Sequence, residues 1–192
     1  MTKTRKVLRT LAVVVVVGGL ATLGSFSAFV GQAENPGNEL KAGTVSLLDN
    51  DAGSALYKLL NTKPGVSTEA CIRVNYDGTL PADMKIYRSG AIGTLGQHVN
   101  VKIEPGSQAT PSFPDCTSFT ADAGGAIFDD PLSDLPGNYD DGIADNPGSA
   151  TKWVKDDVVV YRVTTTVSAS VPDLLQGAST GAHAVRFEAR SQ

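Results

Sequence analysis

The sequence predicts an all-β sandwich behind a removable leader, and three observations carry that reading. Twenty glycines and ten prolines are scattered over 192 residues without a collagen-like period, which favours many turns between short strands. Several segments alternate apolar and polar residues with period two, whereas segments of helical period are nearly absent. The run at 157–170, DVVVYRVTTTVSAS, is rich in β-branched residues suited to a pleated sheet. A chain with 41% hydrophobic content supplies one core, and at this length it is too short for a multi-domain enzyme.

Residues 1–28 are set apart from the fold. Lys3, Arg5, Lys6 and Arg9 make a basic start, and residues 11–24 are uncharged around the five valines at 13–17. This is the layout of a secretory signal helix, shorter in its apolar part than the ~20 residues of a membrane span. Cleavage is expected after Ala28, leaving Phe29 first, with a second candidate junction after Ala33; retention as a membrane anchor is the alternative. Sixteen basic residues less the four in the leader leave twelve against twenty acidic ones, a net charge of −8. That balance disfavours nucleic acid and anionic membranes as partners and limits membrane contact to an uncleaved leader.

Residues 29–39 form a second zone. They lack a core-forming period and carry Pro36-Gly37, so an extended segment is expected before the sandwich domain at 40–192. Within that domain, strands are expected over 40–48, 55–60 and 67–76. The last of these places Ala70, Ile72, Val74 and Tyr76 on one face and Cys71, Arg73 and Asn75 on the other. Further strands are expected over 82–88, through Met84 and Ile86, and 97–103, through Val99, Val101 and Ile103. From 104 to 150 the pattern dissolves into Gly, Pro, Asp and Ser, which reads as an irregular insertion containing short strand or helix pieces. Two strands close the chain, one in 157–170 and one in 182–190, where His183, Val185, Phe187 and Ala189 should face the core. Seven or eight short strands between Gly/Pro turns indicate a sandwich, and a jelly roll is one closure of it.

Cys71 and Cys116 are an even pair in an exported chain and are expected to form a disulfide. Its loop of about 46 residues is worth on the order of 4 kcal/mol in the chain-entropy model. A catalytic thiol would need a neighbouring base, which neither His98 nor His183 signals. Both histidines have ordinary places in strands, and no motif of the metalloprotease, serine-hydrolase or phosphate-loop kind occurs. No cofactor is expected. Asp129, Asp130, Asp134, Asp140, Asp141 and Asp145 form an acidic stretch whose order does not match a calcium-binding helix-loop-helix, leaving a solvated loop or a calcium site as the two readings.

The order of features resembles the TasA/camelysin family of exported biofilm-matrix proteins. The residues that carry this are Phe26-Ser27-Ala28-Phe29 at the junction, Leu40-Lys41-Ala42-Gly43-Thr44-Val45-Ser46-Leu47 at the first strand, and Thr62-Lys63-Pro64-Gly65 before the third. The ending GASTGAHAVRFEAR at 177–190 adds a Phe-x-Ala close, and Leu80-Pro81-Ala82-Asp83 with the cysteine pair looks like a secreted subgroup. The resemblance implies a jelly-roll subunit, released by a dedicated signal peptidase, that forms extracellular fibres by lending its N-terminal strand to the next copy. Here the donor would comprise Phe29, Val30, Gly31, Gln32, Ala33, Glu34 and Asn35, since Pro36 cannot donate to a ladder. Head-to-tail contact of this kind propagates without closing, so a homo-oligomeric fibre is the implied partner, with another matrix or cell-wall protein as a further one. A monomeric secreted binding module on the same sandwich is the second reading. A metallopeptidase, as some relatives are described, finds no ligand motif in these residues.

Overall fold

The computed structural model describes residues 42–58 and 62–191, which belong to one compact unit, Ala42–Gln192. The leader, its junction at Ala28 and Phe29, the donor candidates through Asn35, and Leu59 and Leu60 lie outside the described residues. Within the unit nine strands form two antiparallel sheets: β1 (Leu47–Asp49), β2 (Ser67–Tyr76), β3 (Asp83–Ser89), β4 (Val99–Ser107), β5 (Thr120–Ala121), β6 (Phe128–Pro131), β7 (Ile143–Ala144), β8 (Val158–Val167) and β9 (Ala184–Arg190). The larger sheet runs β1-β2-β8-β4-β5, with β6 also pairing β4, and the smaller runs β7-β3-β9.

The β-branched run becomes the centre of the larger sheet. β8 pairs β2 from Val158 to Thr166 and β4 from Val160 to Val167, so both of its edges are satisfied along nearly its whole length. Period-two alternation then sorts its side chains. Val159, Tyr161, Val163, Thr165 and Val167 turn inward beside Ile72 and Val74 of β2 and Val99, Val101 and Ile103 of β4. Met84 and Ile86 of β3 close the core from the smaller sheet, with Val185, Phe187 and Ala189 of β9 packed against it. The face expected for β9 is therefore the one that meets the core.

The opposite face of β8 carries a polar row. Cys71, Arg162 and Glu104 stand side by side across β2, β8 and β4. The Arg162 guanidinium donates to Glu104 Oε2 at 2.8 and 3.0 Å, Lys102 reaches Glu104 Oε1 at 2.9 Å, and the Phe119 ring lies 4.7 Å from the guanidinium carbon. The connection after β4 folds over this row. Cys71 and Cys116 form the expected disulfide, Cys71 N–H donates to Pro114 O at 3.0 Å, and Gln108 Nε2 donates to the carbonyls of Asp115 and Thr117. That cover is why Cys71, on the outer face by alternation, is buried.

Several boundaries differ from the sequence expectation. No strand forms over residues 55–58, because Leu56 and Tyr57 pack sideways against the core instead of alternating in a ladder. The first strand starts at Leu47, since Thr44 is held by Thr79 through its N–H and carbonyl before the ladder begins. Gln97 and His98 belong to a 3-10 turn, Thr94–His98, and β4 starts at Val99. β4 also continues through Glu104, Pro105, Gly106 and Ser107, so the irregular region begins four residues later than the composition suggested. It contains the short pieces expected of it, β5, β6 and β7, anchored by buried Leu132 and Leu135.

Two outcomes follow. Cys71→Ser or Cys116→Ser should cost roughly 2–5 kcal/mol in urea denaturation, the loss matched by reducing the parent protein. Burial alone would raise the Glu104 carboxyl, but hydrogen bonds and charges from Lys102 and Arg162 outweigh it and hold the group below the usual range. The row therefore stabilises the fold above the ordinary carboxylate pKa, and this contribution is lost as pH falls through the lower folded value. Glu104→Gln should lower stability at pH 7 by about 1–3 kcal/mol and flatten the acid limb of the stability–pH curve.

Candidate functional site

Two open sheet edges bound a cleft on one side of the unit. β1 is the last strand of the larger sheet and β9 the last of the smaller, and the two approach each other. Among the described residues, no backbone hydrogen bond outside the β3–β9 ladder involves Ala184–Arg190, and none outside the β1–β2 ladder involves Leu47–Asp49. Between these edges lies a cleft of about 1240 Å³. Its buried floor is made by Ile72, Val74, Val99, Thr165 and Val167, with half-buried Leu95 beside them. Unpaired edges beside an apolar trough are what an added strand needs, since backbone groups gain ladder partners while alternate side chains leave water.

The walls come from two connections. Residues 51–58 follow β1, and the loop leading to β9 carries a 3-10 turn at Asp173–Leu175. They are joined across the cleft by Tyr57 and His183: the hydroxyl and Nε2 are 2.5 Å apart, and Nδ1 lies 3.0 Å from Gly181 O. The hydroxyl donates to an unprotonated Nε2 if Nδ1 carries the proton toward Gly181 O, which satisfies all three groups at once. Burial pushes the Tyr57 pKa up to about 12, so the phenol remains a donor through the neutral range. Leu48, which lines the facing wall, is 53% exposed.

The acidic stretch does not converge. Asp129 accepts from Asn100 at 2.7 Å, Asp134 from Ser133 at 3.0 Å, and Asp141 from Asn138 at 2.8 Å. Asp145 turns inward, where Tyr161 Oη donates to it at 2.6 Å, and burial followed by the nearby charge of Asp122 raises its carboxyl despite that bond. Among the described residues no group of three or more His, Cys, Asp and Glu side chains gathers as a metal site. His98 and His183 sit apart in role, the first in the 3-10 turn and the second in the Tyr57 contact.

Sequence reasoning missed the cleft and the Tyr57–His183 contact, which joins residues 126 apart in the chain. No local signal marked either, since residues 55–60 read as one more alternating strand. No protein-family model matches the chain, and no match is found among curated proteins.

Tyr57→Phe should lower stability by about 1 kcal/mol at neutral pH, because it strands His183 Nε2 in a half-buried place. Urea denaturation of the two proteins measures this.

Proposed function

We propose that the protein is an exported structural subunit of the extracellular matrix or cell envelope that assembles into fibres by N-terminal strand addition. The observation that carries this reading is the cleft of about 1240 Å³ flanked by the unpaired edge of β9. The two sheets are read as a jelly roll whose smaller sheet lacks a strand at that edge, and residues 29–35 of a neighbouring copy supply it. These seven residues equal the length of β9, and Pro36 ends the pairing where the donor ends. The disulfide suits an oxidising extracellular setting. The resemblance to the TasA/camelysin family points to the same assembly, and no catalytic role is assigned to the chain.

The secreted protein should begin at Phe29 by N-terminal sequencing, and electron microscopy with sedimentation should find fibres. Removal of residues 29–35 should abolish fibres and leave a folded, soluble monomer. Fibres of equal length from both forms would overturn strand addition. No assembly from either form, with an apolar molecule bound in the cleft, would favour the monomeric binding module.

A further inference from the structure

Thr165 is the single polar side chain in the buried floor of the cleft. It is 1% exposed, and its hydroxyl has no hydrogen-bond partner among the described residues. Valine has nearly the same shape and would avoid the penalty of a stranded hydroxyl, so a threonine here is suited to an occupant that brings a polar group to it.

The level of Thr165 along β9 follows from the packing of the two layers. The Tyr161 ring meets Phe187, with centroids 5.0 Å apart. The far end of β8 is tied toward the start of β9: Ser168 N–H donates to His98 O, and Gly93 N–H donates to Thr180 O, both at 2.8 Å. β8 and β9 therefore run in opposite directions across the layers. Thr165, four residues beyond Tyr161, lies level with His183, four residues before Phe187.

The segment FVGQAEN at 29–35 has two faces when extended. One holds Val30, Gln32 and Glu34; the other holds Phe29, Gly31, Ala33 and Asn35. The first face carries the Glu34 carboxylate and the Gln32 amide and the second only one neutral polar side chain, so the second suits the apolar floor and the first looks to solvent. The second face then enters the cleft, and Asn35 is its one polar member. Resting on the strand-addition reading above, we infer that residues 29–35 of a second copy lie antiparallel to β9, with the Asn35 side-chain amide hydrogen-bonded to the Thr165 hydroxyl.

This register is complementary at each step. With Asn35 level with His183, Ala33 falls beside Val185, Gly31 beside Phe187 and Phe29 beside Ala189, so the largest donor side chain meets the smallest inward residue of β9 and the glycine meets the largest. On the solvent side Gln32 falls beside Arg186, and Glu34 lies diagonal to the same exposed arginine, an attractive pairing.

The test is the critical concentration for fibre formation of the secreted protein, read by sedimentation. Thr165→Val and Asn35→Ala should each raise it about three- to tenfold, the worth of one buried hydrogen bond, and the double variant should be no worse than either alone. Gly31→Glu should abolish fibres, whereas Val30→Gln, beside Glu188, should stay within about twofold of the parent. The unfolding midpoint of Thr165→Val monomer should be no lower than that of the parent monomer; if that variant does not fold, the three variants in residues 29–35, which leave Ala42–Gln192 untouched, decide. Parent-like assembly of Asn35→Ala, additive losses in the double variant, or tolerance of Gly31→Glu with loss from Val30→Gln would each overturn the inference while leaving strand addition standing. Assembly of a chain lacking residues 29–35 would instead overturn the reading on which it rests.

Discussion

Double-sided pairing of β8 is the constraint on which the rest of the unit depends. A strand hydrogen-bonded along both edges cannot shift by one residue without exchanging its two faces, and only one of those faces carries a charge. One face is a column of Val, Tyr and Thr that builds the core; the other presents Arg162 to Glu104 beneath a disulfide-tied loop. A slip would bury the guanidinium and expose the valines. Register, core composition and the location of the disulfide are thus one decision, made by the alternation of ten residues.

Edges are where that constraint is absent. The larger sheet ends on the three residues of β1, and the smaller is only three strands wide, ending on β9. Short edges and a narrow sheet leave part of the sandwich side open, and the connection after β1 lines the opening without forming a ladder. The same economy of strands that leaves backbone groups unpaired also leaves an apolar trough beneath them. Stability is therefore assigned to β2, β8 and β4, while the proposed strand addition would fall to β1 and β9.

Much of the interior was legible in the sequence because strands with one wet face write themselves as alternation. Ile72, Val74, Met84, Ile86, Val99, Val101 and Ile103 are all buried on the faces their parity assigned. The cysteine pair was legible from its even count in a chain whose first residues read as an export signal. What was not legible depends on contacts between distant residues. Leu56 and Tyr57 look like part of an alternating run, but their packing against the core overrides the local pattern, and the partner of Tyr57 is fixed only when β9 docks. Pro105 and Gly106 hid the true end of β4; both sit inside it, opposite Tyr161 and Val160, with Gly106 admitting the Thr120 carbonyl where a side chain would collide. The cleft had no signature at all, since its floor uses the same residues as any core.

Trp153 gives the molecule an internal optical reporter. It is the only tryptophan in the chain, it is fully buried, and its indole N–H donates to Asp145 O at 2.8 Å. The ring belongs to the core and lies outside the set of residues that line the cleft. Its fluorescence thus follows loss of the folded state and stands apart from events at the cleft. Intrinsic emission from an unlabelled sample therefore reports unfolding of the core without a label placed near the cleft.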